Sequence, residues 1–258
     1  MMGQRYWIPW LIPLLVLMLW AVAGKWVPPY LLPRPGTVLE TGYHYVLGTP
    51  GDAPYAGRFT GDALASLSRV GLGFGLALGA GLPLGLVSGR SALAEQLLGS
   101  AINALRAVPG ITWLPLAMVW FGIGLKTTLF LVALAAFFPI YLNTASGVAR
   151  VRPSLLQAGA MMGKEKMGAV VFILMPAAMP SIVTGLRLGL GIAWAYLVLG
   201  ELSGVPDGLG AVIMDARMLG QIDMIVVGII IIAIMGRTTD LALIFGLKFC
   251  FKSAARMT

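Results

Sequence analysis

Six stretches of this chain stay apolar for close to twenty residues or more, and only a lipid bilayer makes such a pattern easy to satisfy. A hydrocarbon layer of about 30 Å is crossed by roughly 20 apolar residues in helical form. The candidate spans are approximately 6–23, 61–88, 97–121, 127–147, 182–202 and 223–247. Charge is correspondingly scarce: 11% of the residues are charged, against roughly 25% in soluble domains, and mean hydropathy is +0.90. The chain is therefore expected to be an all-α, integral membrane helical bundle of about six transmembrane helices. Arg5 precedes the first apolar run as in a signal peptide. However, the run is long, contains Trp10 and Trp20 and lacks a small-residue cleavage site, which favours an uncleaved anchor.

The formal net charge of +8 does not call for nucleic acid, because basic residues concentrate beside spans on the cytoplasmic side of membrane proteins. An N-terminus inside puts Arg5, Arg90, Arg150, Arg152, Lys164, Lys166, Lys248, Lys252 and Arg256 on the inner side. It leaves Lys25, Arg34, Arg58, Lys126 and Arg217 outside. Both termini are thus expected in the cytoplasm. Residues 24–60, rich in Pro and Gly, read as an extended external connector. Together with the first span they form an N-terminal section, 1–60. The remaining 61–258 form the core, interrupted by a cytoplasmic loop at 150–181. The single cysteine, Cys250, and the single histidine, His44, exclude an internal disulfide framework and an ordinary His/Cys metal cluster.

Three features of the core carry mechanism. The second span holds two glycine ladders, Gly71, Gly75, Gly79 and Gly81, Gly85, Gly89. Each lies on one helix face and permits close packing or a sliding contact. The third span is broken by Pro109-Gly110 and again by Pro115. A carbonyl freed by proline in lipid needs protein or cavity water, and such breaks point to a translocation path. Trp113 and Trp120 beside the break are candidates to line that path or to act as packing residues. Asn143 and Glu201, polar groups near the ends of apolar spans, are further candidates, since a carboxylate within the membrane is costly and usually functional; at the outer end of its span Glu201 is equally readable as an interfacial or paired group. Asp240, three residues after Arg237, is the kind of group that pairs locally.

The strongest motif is the loop 157–176, QAGAMMGKEKMGAVVFILMP. Pro153 can open a helix, Gly163 can end it, and an apolar run then returns to the membrane. Gly163-Lys164 is not a phosphate-binding loop, because Ala158 stands where a first glycine is needed and Glu165 where Ser or Thr is needed. The loop resembles the Glu-Ala-Ala loop of ABC-importer permeases at Gln157-Ala158-Gly159, Gly163, Ile173 and Pro176. Gln157 replaces the acidic residue, keeping an amide but losing a charge. Flanking motifs such as PGITWLPLAMVWFGIG at 109–124, FFPIYLNTASGV at 137–148 and GLGAVIMDAR at 208–217 resemble the branch that imports nitrate, sulfonates and taurine.

That resemblance implies a permease subunit in the bacterial inner membrane, moving a small solute such as an anion inward by alternating access. It implies an ATP-binding subunit docked on the loop, a periplasmic or lipid-anchored binding protein, and a second permease copy. ATP and Mg would reside on the partner, leaving this chain without cofactor, catalytic residue or metal. A self-sufficient secondary transporter is the alternative, but the inverted repeat and intramembrane acids expected of one are not evident. A membrane enzyme would need a cluster of acid–base or metal-binding residues, which the scattered acids do not form.

Overall fold

The structure, a computed structural model, describes residues 8–164 and 167–250. Helices α1 (Ile8–Trp26) and α2 (Pro35–Leu47) precede the long α3 (Phe59–Arg90). Then come α4 (Ala92–Ala107) and α5 (Gly110–Phe121), which meet at an angle of 82°. They are followed by α6 (Leu125–Ala149), α7 (Pro153–Met161) and α8 (Val170–Glu201), the last entered through a π-helical turn at Val170–Leu174. Helices α9 (Leu209–Met218) and α10 (Ile222–Cys250) complete the described chain. Among the described residues four helices, α3, α6, α8 and α10, are long and apolar enough to cross a membrane, and the bent α4–α5 pair makes a fifth if it is one span. The first expected span corresponds to α1, whose apolar Leu11–Trp26 portion is shorter than these. Residues 6 and 7, where that span was to begin, lie outside the described residues.

The core is a slab with α6 at its centre. Helix α3 runs parallel to α6 and touches it through glycines. A methyl added at Gly85 would come within 2.8 Å of the Tyr141 carbonyl, and one at Gly81 within 3.3 Å of the Phe137 carbonyl. On its other side α6 meets the antiparallel α8, where a methyl at Gly185 would lie 2.8 Å from the Pro139 carbonyl. Glycine at these positions lets two backbones approach closely, the packing device of membrane helices. Leu131, Val132, Ala136 and Ile140 of α6 are buried between the two neighbours, along with Leu186, Leu190 and Leu197 of α8. The ladder Gly81, Gly85, Gly89 is therefore the packing face. Gly71, Gly75 and Gly79 point the other way, into open space.

A second cluster joins α2, α9 and α10 through Val38, Tyr45, Val212, Ala216, Met224 and Val227. It corrects the expectation of an extended connector over 24–60. Pro35 opens α2, where its fixed φ and missing N–H fit the first turn, and the proline-free run that follows can bury Val38 and Tyr45 on one face. Local proline content had hidden that face. Helix α1 stands apart from the slab, exposed along Leu11–Leu19, and is tied by Trp20 Nε1 donating to the Pro33 carbonyl at 2.9 Å.

Candidate functional site

Three polar features occupy three levels of the slab. At one end, the loop after α6 folds as its residues suggest. Pro153 starts α7, and Gly163 leaves it with φ +73°, a left-handed conformation that glycine adopts without a Cβ penalty. The Gly163 N–H reaches the Ala160 carbonyl at 2.9 Å, and the Lys164 N–H reaches Gly159 at 2.9 Å, closing the helix end. Gly159 is buried against Ile173, whose Cδ1 would overlap any Cβ placed there. Gln157, Ala158 and Pro176 are exposed. Leu155, Met161 and Met162 are exposed as well, the two methionines at 90% and 78%, so the loop turns an apolar surface outward. Lys164 Nζ sits 4.6 Å from the centre of the Phe172 ring, within cation–π range.

At mid-slab, the α4–α5 break opens a cavity of about 530 Å³ against α6 and α8. Its lining includes Arg106, Pro109, Trp113, Phe138, Asn143 and Tyr196. The break needs Gly110 because a Cβ there would collide with the Tyr196 ring. Trp113 also packs edge-on to Phe130, with centroids 6.4 Å apart. Asn143 donates from Nδ2 to the Pro139 carbonyl at 2.9 Å, leaving its amide oxygen toward other partners.

At the opposite end lies a buried polar cluster. Glu201, wholly buried, accepts from Arg69 Nη1 at 2.7 Å, from Ser66 Oγ at 2.8 Å and from the Gly210 N–H at 2.8 Å. Arg69 also donates to the Asp207 carbonyl at 2.8 Å and to its carboxylate. Asp62 accepts from the Gly208 N–H and from Tyr45, both at 3.1 Å. Burial pushes the Tyr45 hydroxyl well above its ordinary pKa, with the Asp62 charge adding to the effect, so it remains a donor. The cluster pins the turn between α8 and α9 to α3.

Of the four residues singled out as path candidates, Trp113 and Asn143 line the cavity. Trp120 is 55% exposed and packs with Phe121 and Phe130 instead. Glu201 belongs to the end cluster, where its charge is consumed by Arg69, the Ser66 hydroxyl and the Gly210 N–H. Asp240 pairs with Arg237 at 3.1 Å as its spacing suggests, but more closely with Arg187 of α8 at 2.8 Å. Arg106, Tyr196 and Arg69 were not anticipated. Arg106 had a legible signal, being the single charged residue in 97–121.

Residues 81–243 match the family model described as binding-protein-dependent transport system inner membrane component. The chain belongs to this family. It is 36% identical over 232 residues to the putative aliphatic sulfonates transport permease protein SsuC of Bacillus subtilis, covering 89% of this chain and 81% of that one. It is 34% identical over 226 residues to the taurine transport system permease protein TauC of Escherichia coli, covering 87% and 81%. Among solved structures, an inward-facing form of the MetNI methionine ABC transporter superposes with a TM-score of 0.58 at 19% identity, covering 72% of this chain and 95% of that one. This likeness establishes the shared fold. The chain is thus a multi-pass membrane permease of an ABC importer of the nitrate, sulfonate and taurine branch.

Proposed function

We propose that two copies of this permease form the membrane pathway for a small sulfonate-type anion, imported by alternating access with energy from a separate ATPase. The observation that carries the reading is the loop at Gln157–Pro176. It presents a short helix with exposed apolar side chains, closed by a glycine turn and braced on the return segment through Gly159 and Ile173. An exposed apolar surface on a rigid element is what a docking partner requires. The ATPase, carrying ATP and magnesium, docks there, which places both termini in the cytoplasm. The end bearing α2 and α9 then faces the binding protein. The sulfonate preference follows from the named substrates of the relatives, aliphatic sulfonates and taurine.

Gly163 separates this reading from a loop of no consequence. Nothing lies within 4 Å of a Cβ built there, so the constraint is its φ of +73° and not space. In proteoliposomes containing the permease, its ATPase and its binding protein, Gly163→Glu is expected to abolish uptake while ATP hydrolysis persists. Gly163→Asn, which tolerates left-handed backbone, is expected to keep most coupling. Wild-type uptake by the Glu variant, or uptake by the permease without its ATPase, would reject the proposal.

A further inference from the structure

We infer that Arg106 is the anion-holding residue of the pathway, and that the cavity at the α4–α5 break is the site where a small sulfonate or similar oxyanion pauses in transit. The inference rests on the proposed reading of an anion importer and adds the place and the residue. Its first support is depth. Helix α6 has 25 residues, about 37 Å of helix, and the cavity touches it from Leu134 to Asn143, around its midpoint. Arg106 lies on the lining of this cavity and is exposed, so its guanidinium is open to a solute there. A charge so placed is expensive and marks a pathway.

The second support is the donor inventory. Arg106 makes no ion pair or hydrogen bond among the described residues, and the lining contains no carboxylate. Two other arginines of the slab contrast with it. Arg69 is consumed by Glu201 and Asp207, and Arg187 by Asp240. Trp113 Nε1 and the Tyr196 hydroxyl add donors that likewise have no partner among the described residues. One cation, two neutral donors and no anion make a site complementary to an oxyanion, and a planar guanidinium fork suits two oxygens at once.

The third support is shape. Leu134, Phe138, Leu188 and Ile192 give the cavity an apolar wall, suited to the short carbon chain of an aliphatic sulfonate. At about 530 Å³ the cavity falls within the range of small-molecule sites. It accommodates the solute with room for water.

The test uses the reconstituted complex with nitrate, methanesulfonate, ethanesulfonate and taurine as probes. The wild-type complex is expected to import at least one of them. If it imports none, or prefers neutral or cationic solutes, both the anion reading and the inference fall. With an anion imported, Arg106→Gln is expected to lower the maximal uptake rate by about tenfold or more, and Arg106→Lys, which keeps the charge but loses the fork, to fall between that variant and the wild type. A wild-type rate in the Gln variant overturns the site while leaving the anion importer intact. Should Arg106→Gln fail to assemble with the ATPase, Ile192→Trp decides. It keeps the charge and fills the apolar wall, so ethanesulfonate uptake should fall more than nitrate uptake. Equal uptake of both at wild-type rates overturns the proposal.

Discussion

The single arginine–glutamate contact between α3 and α8 does more for the shape of the protein than its exposed charges do. Glu201 is completely buried, and the atoms around it are matched one for one. Removing one partner of such a pair leaves the other charge buried and costs about 3–5 kcal/mol. Glu201→Ala is therefore expected to lower the midpoint of thermal unfolding in detergent sharply. Asp207→Asn should cost under about 1 kcal/mol, because its side chain is 54% exposed. Comparable midpoints for the two variants would contradict this ranking. The residue scale is also where sequence reasoning reached least. A glutamate at the end of an apolar span looks the same whether it binds solute or an arginine 132 positions away. Arg106 differs, since a lone cation in an apolar run carries its own warning. Gly110 lies between the two cases: the break was legible, but the ring of Tyr196 filling the space beside it was not.

At the level of elements, glycine placement separates contact from exposure. Gly75 and Gly85 share a helix and a residue type, yet one faces open space and the other the backbone of α6. Gly85→Val is expected to destabilise the protein by about 1–3 kcal/mol through overpacking, whereas Gly75→Val should change stability little. Thermal unfolding of the pair tests it, and a stable Gly85→Val would show that α3 and α6 can separate without loss. The same logic applies to the loop. Gly159→Ala brings a methyl onto Ile173 Cδ1, so the single variant should weaken ATPase retention in a pull-down. Adding Ile173→Val, which lacks that carbon, should restore retention. The long apolar helices and the turn at Gly163 were legible because periodicity and a lone glycine report on them directly. Helix α2 was not. Its burying partners, Val212 and Val227, lie far along the chain, and the prolines around it dominated the local signal.

For the whole molecule, membership of the family follows from the match over 81–243, while the direction in which the chain faces rests on the distribution of lysine and arginine. Single cysteines introduced in a Cys250→Ser background test that direction. Lys164→Cys is expected to react with an impermeant thiol reagent only from the cytoplasmic side of oriented vesicles. Asp52→Cys, in the turn between α2 and α3, should react only from the outer side. The reverse pattern would invert the molecule and move the ATPase-docking proposal to the wrong face.

Helix α8 joins these levels physically. It leaves the loop beside Ile173, passes the cavity at Leu188, Ile192 and Tyr196, and ends at Glu201 in the polar cluster. From Val170 to Glu201 it has 32 residues, about 48 Å at 1.5 Å each. A rod of that length, held at its far end by the contacts of Glu201 with Arg69 and Ser66, is free to pivot near that end and not at the cavity. A small tilt imposed at the loop would then carry the cavity wall at Leu188, Ile192 and Tyr196 in the same sense, by less than it moves the loop.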